Sequence, residues 1–188
     1  MKKTRNLAAY LWLVGLFVMA TFSGCSTKQT ITRITRPASP LSPGKPMYVS
    51  IPEAKGRDEE RTYDPSDFQT ATACAGAFRK YGPVTMGRQP ERLEAAMASA
   101  KASQCFYLVK PTIRMWEDNP TEWNGEPDDL EIEIEIFAVA NSESIARANL
   151  KGKSKWATFG DHPEDMLPGF IEPYAAELFG DTDLQKKK

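Results

Sequence analysis

Few side chains in this 188-residue chain have the types and spacing for chemistry: cysteines at 25, 74 and 105, a single histidine at 162, and a stretch from Trp116 to Glu135 whose charges are all acidic. His162 precedes a proline, and without a second histidine the common nucleophile–base pairs and histidine-rich zinc sites are hard to assemble. It reads as an exposed or helix-capping residue. No base accompanies Cys74 or Cys105, so neither has the setting of a nucleophile. Two alternatives stay open for these thiols: a Cys74–Cys105 disulfide, as leftover cysteines form in an oxidising compartment, or two unpaired thiols in the core. The acidic residues Glu117, Asp118, Glu122, Glu126, Asp128, Asp129, Glu131, Glu133 and Glu135 raise the question of a calcium loop ending at Glu131. Its first ligand position falls on Pro120, which offers no side-chain oxygen, so no metal and no cofactor are expected.

Within that stretch, Trp116 and Trp123 bracket a turn between strands. Loops carry recognition and tryptophans carry interface energy, which makes Trp116, Glu117, Asp118, Glu122 and Trp123 candidate partner-binding residues. The alternative is that both rings fold back over the end of a sheet.

The elements that must position these residues follow from periodicity. Leu130, Ile132, Ile134 and Ile136 alternate with three glutamates, the pattern of a strand with one buried and one wet face. Asn141–Ser144 turns the chain, and 145–156 returns as the antiparallel partner, with Arg147, Lys151 and Lys153 able to face the glutamates. Further strands are expected at 46–51, 84–86 and 105–116, with Pro111 bending the last or marking an edge. Helices are expected from Asp64 to Tyr81, with Phe68, Ala71, Cys74 or Ala75, and Phe78 inward; from Pro90 to Lys101; and from Pro163 to Phe179, ended by Gly180. The fold class is therefore α/β in the α+β sense: a mixed, mostly antiparallel sheet of about five strands with about three helices packed on one face. One domain is expected over 45–180, followed by a polar tail at 181–188. Residues 25–44, rich in Ser, Thr and Pro, read as a tether that would span up to roughly 60 Å if extended.

The amino terminus adds an address. Lys2, Lys3 and Arg5 precede an uncharged apolar run from Leu7 to Phe22, the layout of a secretion signal occupying 1–24. Phe22-Ser23-Gly24-Cys25 resembles a bacterial lipobox, which implies lipidation of Cys25 with diacylglycerol and a further acyl chain such as palmitate. Ser26 lacks the aspartate associated with inner-membrane retention, so the expected location is the periplasm-facing side of the outer membrane. Loss of the leader leaves 21 basic against 25 acidic residues. With the bases scattered, no nucleic-acid partner is expected.

Cys25 with its leader, Phe106-Tyr107-Leu108-Val109-Lys110-Pro111-Thr112-Ile113, the segment from Trp116 to Trp123, and Gly152-Lys153-Ser154 together resemble a family of small proteobacterial lipoproteins built on a domain of unknown function. The order of elements is also similar to the amino-terminal domain of TolB and to envelope lipoproteins that activate peptidoglycan synthases or build secretion channels. The family likeness brings no established activity with it and the element order suggests fold alone; the leading expectation is a non-enzymatic binding or scaffolding module with an envelope protein or peptidoglycan-associated partner. The alternatives are a subunit of a homo-oligomeric envelope or secretion assembly and, further off, a hydrolase.

Overall fold

The structure, a computed structural model, describes residues 28–53, 65–118, 127–154 and 162–181. Their elements run β1 (Lys28–Thr35), β2 (Met47–Ile51), α1 (Ser66–Arg79), β3 (Val84–Pro90), α2 (Leu93–Ala102), β4 (Tyr107–Glu117), β5 (Asp129–Ala138), β6 (Glu143–Lys153) and α3 (Pro163–Leu178). The strands form one sheet in the order β1-β6-β5-β4-β2-β3. Pairing is antiparallel from β1 through β4 and parallel where β2 joins β4 and β3. Among the described residues, no helix is long and apolar enough to cross a membrane.

The β4–β5–β6 meander follows from the alternation in β5. Leu130, Ile132, Ile134 and Ile136 all turn to one face and are at most 1% exposed, and a one-residue slip would drive the intervening glutamates into that core. Gly152 keeps its end of the meander close to α3. A Cβ there would come within 2.9 Å of the Phe170 ring and 3.1 Å of the Met166 sulfur. Pro111, which cannot donate to a ladder, sits in β4 beyond Val49↔Val109, the last β2–β4 pair, and so leaves no parallel bond unmade. At the other end of the chain, α3 closes with Gly180 in the left-handed region (φ 69°), where the Gly180 N–H donates to Glu177 O and the Asp181 N–H to Ala176 O.

The mixed, mostly antiparallel sheet with three helices agrees with expectation, but its edges and faces do not all do so. There are six strands rather than about five. The extra one is β1, in the segment expected to be a tether: it pairs with β6 from Lys28↔Lys153 to Thr35↔Arg147. Ile31 packs against the main core and Leu41, in the same segment, is buried in it. The helices also do not share one face. Along β2 and β4, Met47, Val49, Tyr107 and Val109 point into the main core with α1 and α3, whereas Tyr48 and Leu108 point oppositely into a second core with Ala96, Met97 and Ala100 of α2. This smaller core also takes Phe137, one period beyond the glutamates of β5. Helix α2 thus covers part of the face expected to be wet. On α1, Phe68 is not in the inner stripe. It lies in the first turn and is 54% exposed, while Ala71, Cys74, Ala75 and Phe78 are buried.

The two thiols are free and lie in different cores, Cys74 on the inner face of α1 and Cys105 beside α2. With the sheet between them the disulfide alternative fails. Burial pushes the Cys74 thiol up to about 12 and raises Cys105 as well, there opposed by a hydrogen bond with Thr85. In Cys25→Ser protein, a thiol reagent should therefore find almost nothing in the native state and two thiols in guanidinium. Rapid native labelling of either cysteine would contradict this burial.

Candidate functional site

The recognition loop proposed from sequence is only partly a surface. Trp116 is 5% exposed and belongs to the main core, where it faces Leu130 of β5 in the register, so the ring packs and does not present itself to a partner. Glu117 ends β4 opposite Asp129. Asp118 is exposed and lies 3.3 Å from His162 Nδ1. Its hydrogen bond and negative charge raise the His162 pKa above the ordinary histidine value. His162 also begins α3, its backbone N–H donating to Asp165 at 3.2 Å, which is the capping role expected for it. Glu122 and Trp123 lie outside the described residues, as does Cys25.

On the face away from the main core, β4, β5 and β6 carry a ladder of charges. The carboxylate of Glu133 has 11% side-chain exposure and is gripped from both neighbouring strands, by Arg147 at 2.8 Å and Arg114 at 3.0 Å. Lys151 meets Glu131 at 2.8 Å, and Lys153 meets Asp129 at 3.2 Å. Burial raises the Glu131 pKa, but hydrogen bonds from Lys151 and Asn149 and the nearby charges of Lys151 and Arg114 outweigh it and leave the carboxyl below its ordinary range. Ser144 donates to Glu135. This is the cross-strand pairing expected from the alternation, with Arg147 reaching one row diagonally. Its ionisable groups are neutralised by one another.

A second polar feature was not legible in the sequence. Arg33 on β1 forms a bidentate hydrogen-bonded ion pair with Glu177 on α3. Beside it, Thr35 to Pro40 and the α3 residues Tyr174, Glu177 and Leu178 line a half-open cleft of about 200 Å³. Tyr174 is 2% exposed, and its hydroxyl has no hydrogen-bond partner among the described residues. Burial first, then the nearby Glu177 charge, raise its pKa, so the hydroxyl stays protonated and can donate a hydrogen bond to a guest as well as accept one. Arg36, with 70% side-chain exposure, adds a positive charge at the rim. These groups have the chemistry to hydrogen-bond a small polar molecule in the cleft. Arg33 and Tyr174 were missed because nothing local marks a Thr-rich stretch as the partner of a helix 140 residues later.

With this architecture in view, residues 39–178 match the family described as a domain of unknown function, DUF4823. The chain belongs to the DUF4823 family. The match begins after β1 and takes in every other element. The DUF4823 fold is also that of PelC from Paraburkholderia phytofirmans, solved as a dodecamer: one crystal form of a point variant aligns with a TM-score of 0.63 at 13% identity, covering 80% of this chain and 98% of that one. A second PelC dodecamer aligns at 0.61 and 12% identity, covering 80% and 97%. Lipoprotein GNA1162 from Neisseria meningitidis aligns over 72% of this chain and 99% of its own at 8% identity, with a TM-score of 0.45. At such identities the DUF4823 domain shares a fold with PelC and no residue roles follow. No curated protein matches the chain.

Proposed function

We propose that this DUF4823 protein is a lipid-anchored module of the bacterial outer membrane, facing the periplasm, that binds and scaffolds an envelope partner and catalyses nothing. The observation that carries the reading is the leader that ends at Cys25: a basic start, an uncharged apolar run and small residues before a cysteine. Several acyl chains on that residue would hold a protein far more firmly than the marginal binding of one. The ladder on the sheet is in keeping with a non-catalytic face: among the described residues Glu133 is paired with Arg114 and Arg147, and Glu131 with Lys151. Cys25→Ser is expected to move the protein from the outer-membrane fraction to the soluble periplasm, or to stall it as a precursor, and to remove the acyl mass from the mature amino terminus. A variant that still fractionates with the outer membrane as strongly as the parent would defeat the anchoring argument.

A second reading, a subunit of a homo-oligomeric envelope assembly, is supported by the fold shared with a protein solved as a dodecamer. Anchoring restricts the geometry: lipidated subunits on one leaflet can form a cyclic ring, but a dihedral stack would turn half of the anchors away from the bilayer. Native mass spectrometry of the detergent-solubilised acylated protein should then give one closed ring size. A monomer across the accessible concentration range would remove this reading and leave the first standing.

A further inference from the structure

The chain between Cys25 and the first strand is very short, and that strand is fastened. Strand β1 pairs with β6 at seven positions beginning with Lys28↔Lys153. Ile31 packs on the main core. Gln29 lies over Gly169 of α3, where a Cβ would come within 2.3 Å of its side-chain nitrogen, so the missing side chain makes the seat for it. Arg33 is held by both carboxylate oxygens of Glu177. Only Ser26 and Thr27 separate Cys25 from Lys28. Three Cα-to-Cα steps reach at most about 11 Å.

We propose that the domain is held directly against the outer membrane, with the end of the sheet formed by Lys28, Lys153, Asp129 and Glu117 facing the lipid headgroups, and does not hang from the bilayer on a flexible tether. These four residues are neighbours across β1, β6, β5 and β4. Two are basic and two acidic, so these four carry no net charge among themselves; the short link to the acylated cysteine sets the distance. The opposite end, with the β5–β6 turn around Ala140 and the exposed ring of Phe106, lies roughly 30 Å away along the strands and faces the periplasm. A partner must then approach the membrane surface to meet this domain, and it meets that far end first.

The inference rests on the acylation of Cys25 under the proposed function, and the test separates the two. The full acylated chain, carrying a nitroxide at Lys153→Cys, Glu117→Cys or Ala140→Cys, is reconstituted in phosphatidylethanolamine–phosphatidylglycerol vesicles containing a few per cent of a nickel-chelating lipid. The buried Cys74 and Cys105 supply a background measured on the unsubstituted chain. Collision with headgroup nickel is expected to be several-fold greater at 153 and 117 than at 140. A twenty-residue Gly/Ser insertion between Thr27 and Lys28 should bring all three to the lower level. Equal collision at the three positions without the insertion, in protein whose amino-terminal mass includes the acyl chains, overturns the orientation. An amino terminus without acyl mass overturns the anchor itself, and the orientation with it.

Discussion

Trp116→Ala is expected to destabilise the domain by about 3–5 kcal/mol, the range for removing a large aromatic ring from a packed core. The ring sits at 5% exposure among the main-core residues and faces Leu130 across the β4–β5 ladder, so its removal leaves a cavity that the surrounding core closes only in part. For a domain of this size the loss corresponds to a melting temperature lower by about 6–20 °C, a large share of the total stability of a typical domain. Trp116→Phe, which keeps most of the apolar volume, should lose clearly less. Differential scanning calorimetry on Cys25→Ser protein decides the matter. An unchanged melt would return the ring to the surface and restore Trp116 as a recognition residue.

Deleting residues 26–36 is expected to cost at least about 3 kcal/mol, or about 6–12 °C in melting temperature. A tether can be removed without consequence; an edge strand cannot. The deletion uncovers the backbone edge of β6, the core surface under Ile31 and the carboxylate of Glu177, and it leaves a six-stranded sheet with five strands. A freshly exposed central strand edge is also a template for pairing with another chain, so the shortened protein should self-associate as it loses stability. The measurement is a thermal melt with light scattering on full-length and deleted forms. Identical melts would mean that β1 contributes nothing to the fold, and would also return the flexible tether that the proposed membrane orientation excludes.

Both effects fall where local pattern and tertiary placement part company. The alternation from Leu130 to Ile136, the glycine that ends α3, the inward face of α1 from Ala71 to Phe78, and the basic residues of β6 that meet the glutamates of β5 were all legible in the chain. Each depends on period, and a period states which residues share a face. It does not state what will cover that face. Tyr48 and Leu108 alternate with main-core residues in the sequence, but only the β2–β3 and β2–β4 pairings put α2 above them and make a second core. The separation of Cys74 from Cys105 follows from that same division into two faces. Strand β1 is the extreme case. Its Thr-rich sequence has one large apolar side chain turned inward, Ile31, and is extended only because β6, more than 110 residues later, offers a matching edge and α3 supplies Glu177. By itself the sequence determined the strand periods, the helix stops and the charges available to pair. Tertiary structure decided which faces were covered, whether Trp116 was core or surface, and that the segment after Cys25 was part of the sheet, because those outcomes depend on contacts between elements far apart in the chain.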